Sequence, residues 1–211
     1  MPLTAHFRPM RARDMHQPHR ASTSLELLFD LVTVIAVASA AAGLHHAVAG
    51  GHAADGTVRF AMAFFGIWWA WMNYTWFASA YDNDDGVFRL LTLVIMGGAL
   101  TIAAGVQPFF DSLDLTMIVI GYVIMRAGMV ALWLRAAVGD PERRATTLAY
   151  AFGIALVQGY WAGLLRLVDP SSFVLLALLF ALGAALEISV PALAERNGRT
   201  PWHRSNSHFG I

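Results

Sequence analysis

The stretch STSLELLFDLVTVIAVASAAAG (residues 22–43) decides what kind of object this chain is. It is apolar over the length a helix needs to cross a hydrocarbon core, about 20 residues. Yet it carries two carboxylates, Glu26 and Asp30, which a helix would place on one face. Thr23 and Glu26 have the spacing of a capping box, in which hydroxyl and carboxylate satisfy amides at a helix start, and a negative charge there suits the helix dipole. Asp30 has no such explanation. It lies about 10 Å along the axis from Thr23, beyond the reach of a cap. In lipid its charge would cost at least about 2.5 kcal/mol, so it is expected to face protein, water or a cation.

Composition extends this reading to the whole chain. Of 211 residues, 57% are hydrophobic and 13% charged, against roughly 45–50% and 25% in soluble domains; the excess is lipid-facing surface. The 14 basic residues are all arginine and are balanced by 14 acids, so no net charge draws the protein to nucleic acid. With no cysteine, disulfides, zinc thiolates and thiol nucleophiles are excluded.

Six apolar segments follow, at residues 25–48, 58–81, 88–110, 115–137, 147–168 and 173–194, with the short polar breaks AGGHAADG, DNDDG, DSLD, GDPERR and DPSS between them. Unbroken apolar runs rich in Ala, Leu and Gly, joined this closely, predict an all-α polytopic transmembrane bundle of about six up-and-down helices. The organisation is a polar, Arg-rich segment (1–22), a membrane domain (23–195) and a polar tail (196–211), the part from residue 197 onward being expected to be poorly ordered. Eleven arginines fall on the side of the termini, Arg59 and Arg166 on the other, and Arg126 inside the fourth segment. The positive-inside rule therefore puts both termini in the cytoplasm of a multi-pass inner or plasma membrane protein. The Arg-rich lead and the small triplet Ala38, Ser39, Ala40 imitate a signal peptide, but two acids within the would-be apolar region argue against one.

Several groups are candidates for chemistry. Asp30, Arg126 and Glu187 come to similar depths when the helices are laid antiparallel, and they are expected to form a buried charged layer, with Glu26 near its edge and Asn73 and Gln158 within hydrogen-bonding depth. Trp68 and Trp69 lie near mid-bilayer; with Trp71 and Asn73 they either fill the core or line an apolar or cation-binding pocket. Asp82, Asp84 and Asp85 could hold a hard cation, although DNDDG fails the EF-hand template and also reads as a solvated turn. His45 and His46 point to different sides of a helix and share no ligand role. Gly97, Gly98, Gly153 and Gly159 read as close helix contacts. No Walker loop, HExxH, GxSxG or CxxC motif occurs, and no cofactor is called for.

The pieces LELLFDLVTVIAVA, WWAWMNYTWFASAYDNDDGVFRLLTLVIMGG, YVIMRAGMVALWLRAA, GDPERRATTLAYAFGIALVQGYWAG and LEISVPALAERNGRTPWH together resemble the bacterial low temperature requirement A family of integral membrane proteins. The most specific are the Glu26, Leu27, Phe29, Asp30 block, the Trp68, Trp69, Trp71 cluster followed by Asp82 and Asp85, and Arg89 and Arg126. The resemblance implies a polytopic membrane fold without naming a reaction. It also implies that the chain corresponds to the N-terminal half of longer members, which continue past the PWH region.

The functional expectation is transport or conduction of a small solute or ion through the charged layer. The alternatives are a membrane-embedded, metal-dependent enzyme on a lipid-like substrate, or a structural or assembly subunit. The expected partners are the bilayer, the small solute or ion, and either further copies of the chain or the family's C-terminal half. Reporter fusions after Gly51, Asp111 and Asp169 are expected to read external; two or more reading cytoplasmic would reject the topology.

Overall fold

Thr23 opens the first helix as its spacing requires: its side-chain oxygen accepts the Glu26 amide at 3.2 Å, and the chain stays helical for 26 residues. The computed structural model describes residues 9–13, 23–81, 83–167 and 172–201. They form α1 (Ser24–Ala49), α2 (Ala53–Ala80), α3 (Gly86–Ser112), α4 (Thr116–Gly139), α5 (Arg144–Leu167) and α6 (Phe173–Ala194), with no strand among the described residues. Five of the six, all but α2, are long and apolar enough to cross a membrane.

The helix boundaries follow local chemistry. Gly51, at φ 81°, makes the reversal into α2 that a side chain would resist. Asp85 caps α3, its Oδ1 accepting the Phe88 amide at 2.9 Å, and Ser172 caps α6 through the Leu175 amide. Between α3 and α4, Asp114 accepts the Thr116 amide at 2.8 Å. The Thr116 hydroxyl and amide hold its carboxyl below the usual carboxylate range.

Helices α1, α3, α4, α5 and α6 form a row in which each packs on the next, and α2 lies against α1, α3, α4 and α6 to close the row into a bundle. This position explains why α2, alone of the six, lacks the apolar stretch of a membrane-crossing helix. It has 14 buried residues where α1 has five, and Trp69, Asn73, Tyr74 and Ser79 are among those that meet protein. The outward face of α1 (Leu27, Leu31, Val34, Ile35) is apolar and exposed. Helices α3 and α4 approach backbone to backbone. A methyl group on Gly98 would stand 2.6 Å from the Gly121 carbonyl oxygen, and one on Gly121 2.6 Å from that of Gly98. Gly153 meets Val190 in a similar way, whereas Gly97 and Gly159 face open space, so only part of the expected glycine packing is realised.

The end of the bundle that carries both chain termini is tied by polar contacts. Arg135 of α4 forks onto both oxygens of Asp85, which is fully buried. Tyr81 donates to Asp140 at 2.9 Å, and Arg143 reaches the same oxygen. Parts of both terminal segments dock here, the C-terminal one being the segment expected to be poorly ordered. Met10 is fully buried, its backbone lying where a side chain on Gly139 would stand, and the Arg13 amide donates to the Ala80 carbonyl at 2.9 Å. At the other terminus Glu195 accepts from Tyr150 at 2.9 Å and from Thr200, and the Thr146 hydroxyl donates to Gly198. Residues 197–201 are thus held against α5, which corrects the expectation for that part of the tail; residues 202–211 lie outside the described ones.

Because α3 and α4 touch backbone to backbone, Gly98→Ala or Gly121→Ala should destabilise the protein by about 1–3 kcal/mol, read as a lowered midpoint of thermal unfolding in detergent. Gly97→Ala, one residue away but facing open space, should leave the midpoint unchanged.

Candidate functional site

Midway along the bundle, where α2, α4, α5 and α6 meet, one carboxylate gathers four donors. Glu187 of α6 is 1% exposed. Its Oε2 accepts from Arg126 Nη2 of α4 at 2.8 Å and from Trp69 Nε1 of α2 at 3.2 Å. Its Oε1 accepts from Gln158 Nε2 and Trp161 Nε1 of α5, both at 3.2 Å. The carboxylate is saturated: four donors meet the roughly four lone-pair sites it offers.

Helical spacing puts these groups there. On α4, Tyr122 and Arg126 are one turn apart, the arginine donating to the tyrosine hydroxyl while its guanidinium carbon lies 4.7 Å from that ring's centre. On α5, Gln158 and Trp161 share a face. On α6, Gly183 stands one turn before Glu187. A methyl group there would come within 2.6 Å of the Trp161 ring, so the missing side chain lets the indole lie against α6 with its N–H aimed at the carboxylate. Tyr122 packs edge-on to Trp161, and Phe180 closes the aromatic wall.

Arg126 is the opposite of Glu187 in hydrogen bonding. It too is 1% exposed, and among the described residues only its Nη2 has partners; Nε and Nη1, which carry three N–H groups, have none there, and neither has the neighbouring Gln158 Oε1. Buried guanidinium hydrogens are costly to leave unpaired. The arrangement can therefore do two things: hold a carboxylate in a fixed place, and offer a planar set of donors beside an acceptor to something small.

The expected charged layer thus contains Arg126 and Glu187 joined directly, with Gln158 added, but not Asp30 or Glu26. Asp30 accepts from Trp71 Nε1 at 2.7 Å. It lies in a groove of about 270 Å³ between α1 and α2, with Thr33, Val34, Val37, Phe64, Trp68 and Trp71. The reason is rotational. Trp69 and Trp71 are two residues apart on α2 and point to opposite sides, so α2 stands between Asp30 and the pair, and α1 touches none of α4, α5 and α6. The same rotation splits the tryptophan cluster, since Trp68, 36% exposed, joins the α1 groove and only Trp69 joins Glu187. Asn73 turns back onto the Trp69 carbonyl at 2.7 Å. Glu26 is buried at the α1 start, its amide held by Thr23.

The acidic run between α2 and α3 is also differently employed. Asp84 is bound by Arg89 at 2.9 and 2.8 Å, and Asp85 caps α3 and pairs with Arg135, so these two carboxylates turn to arginines in place of converging on a cation. Asp82 lies outside the described residues. Among the described residues, no group of three or more His, Asp and Glu is placed to hold a metal ion.

Sequence reasoning missed Tyr122 and Trp161. Both were signalled by spacing, Tyr122 four residues before Arg126 and Trp161 three after Gln158. Two further cavities lie toward the other end of the bundle. One, of about 30 Å³, is apolar and includes Tyr122, Trp161 and Phe180 in its wall. The other, of about 440 Å³, opens between α1, α2 and α3 and is lined by His46, His52, Asp55, Arg59, Gln107 and Asp111 among others. There Arg59 donates to the Phe109 and Phe110 carbonyls and so caps the C-terminal end of α3.

No curated protein and no solved structure matches the chain. The family of bacterial low temperature requirement A proteins matches over residues 21–209. Six helices, five of them fit to cross a membrane, and a match running through all six make this chain a member of that family, an integral membrane protein of the low temperature requirement A type.

Proposed function

We propose that the protein transports or conducts a small solute or ion, and that the Arg126–Glu187 layer is where the permeant is bound. The observation that carries this reading is the set of unpartnered guanidinium hydrogens on Arg126 at 1% exposure. A purely structural ion pair gains from satisfying both partners. Here the carboxylate is saturated and the cation is not, which is the condition of a group that shares itself with a guest. The arginine distribution supports a cell-membrane protein with both termini in the cytoplasm. On that orientation the small apolar cavity beside Tyr122 lies on the external side of the layer.

The test separates folding from passage. Breaking the pair with Glu187→Ala leaves a buried arginine uncompensated and should destabilise the protein by about 3–5 kcal/mol. Replacing both partners, as Arg126→Leu with Glu187→Leu, should recover most of that stability, measured by thermal unfolding in detergent. Permeation in liposomes should remain abolished in the double variant. A double variant as permeable as the wild type would show that the layer is structural only. Asp30→Asn, on the far side of α2, should leave permeation unchanged.

A further inference from the structure

The charge balance and hydrogen-bond inventory of the layer say what kind of permeant it takes. Arg126 and Glu187 are the ionisable partners of the site and cancel each other in direct contact at 2.8 Å. The other groups that reach them, Trp69 from α2, Tyr122 from α4, and Gln158 and Trp161 from α5, are uncharged. The nearest acid toward the termini on α4, Asp140, is about 21 Å further along the axis and is occupied by Tyr81 and Arg143. The site is therefore neutral before anything enters, and any ion would add an uncompensated charge to a fully buried place. That costs several kcal/mol even after relaxation. An uncharged guest incurs no such penalty.

The vacant groups then describe the guest. Arg126 Nε and Nη1 present three N–H donors in the plane of the guanidinium, and Gln158 Oε1 presents one acceptor. The two side chains are brought together by the Glu187 carboxylate, which each of them donates to. The guest must bring oxygen lone pairs to the guanidinium and an N–H or O–H to the glutamine. Glu187, already saturated by four donors, does not compete for it. Resting on the permeation reading above, we infer that the Arg126–Gln158 edge binds a small uncharged solute carrying both donors and acceptors, of the urea, primary amide or polyol class with water as its smallest member, and excludes ions. The neighbouring space agrees with a small guest: Tyr122 and Trp161, which touch Arg126 and Glu187, also stand in the wall of a cavity of about 30 Å³, large enough for water-sized groups.

The experiment uses the full chain in liposomes. Stopped-flow light scattering reads the permeability to water, urea, formamide and glycerol, and a potential-sensitive dye with ion gradients reads sodium, potassium and chloride. The expected result is a rise in permeability to at least one of the neutral probes over protein-free liposomes, with no ion flux. Water separates from the larger probes by which gradients collapse. Arg126→Lys keeps a cation opposite Glu187 but loses the planar edge, and should lower the neutral flux at least about tenfold, the loss expected for one well-made hydrogen bond. If that variant does not fold, Gln158→Leu, which leaves the ion pair intact, decides in its place with the same expected loss. Ion flux, with or without neutral flux, would overturn the inference and leave the permeation reading standing. Neutral flux untouched by the deciding variant would overturn the site assignment. No flux of any probe would overturn the permeation reading along with the inference.

Discussion

A guanidinium and a carboxylate in the middle of an apolar bundle impose conditions that much of the structure meets. Each alone would be expensive in lipid or in the protein interior, so each must be brought to the other by a separate helix. Arg126 comes from α4 and Glu187 from α6, which are not neighbours in the row of helices. The gap between them is closed by α5, through Gln158 and Trp161, and by α2, through Trp69. Four helices converge on one carboxylate. Gly183 belongs to the same requirement, because only a residue without a side chain lets the Trp161 ring lie where its N–H meets Glu187.

Helix α2 is the second consequence. A helix that supplies polar atoms inside a membrane protein is best surrounded by other helices, and α2 has more buried residues than α1 or α6 and touches four neighbours. Its two sides differ in kind. One carries Trp69 to the ion pair and continues through Phe77, edge-on to Trp133, which stacks on Tyr150 at 4.1 Å. The other carries Trp71 to Asp30 on α1. The opening puzzle of an acid retained in a membrane helix is met in part by an indole donor where the sequence suggested an arginine.

What could be read in the residues was whatever depends on position along the helix axis. The six segments, the start of the first at Thr23, and the pairing of Arg126 with Glu187 all follow from hydropathy, capping chemistry and depth. Rotation about the axis was the missing information. A helix apolar on all sides, such as α1 or α6, gives little periodicity from which to tell its protein-facing side from its lipid-facing side. Asp30 and Glu187 therefore looked alike in depth although they face different helices. The same ambiguity grouped Trp68, Trp69 and Trp71 and hid Tyr122 and Trp161. Docking of Met10 was illegible for another reason: what receives it is the bare backbone of Gly139, a surface that exists only once α2 and α4 are side by side.

The two ends of the bundle are held by different forces, and this bears on how the layer between them is reached. At the end with the termini, Asp85 is clasped by Arg135, Asp140 by Tyr81 and Arg143, and Glu195 by Tyr150 and Thr200, in contacts that each join separate elements or fasten a terminal segment. Separating α3 from α4 there would strip a buried aspartate of its arginine, at a cost of about 3–5 kcal/mol. At the other end, Arg59 caps α3 through backbone carbonyls, and the neighbouring acid Asp111 is held by Gln107, a residue of its own helix. A polar cavity of about 440 Å³ already lies between α1, α2 and α3. Among the described residues the charged group that joins helices here, Arg59 of α2, meets α3 through carbonyls and α6 through the Phe173 ring, not a carboxylate; less electrostatic work therefore opposes an opening at this end, which is the same side of the Arg126–Glu187 layer as the small cavity walled by Tyr122 and Trp161.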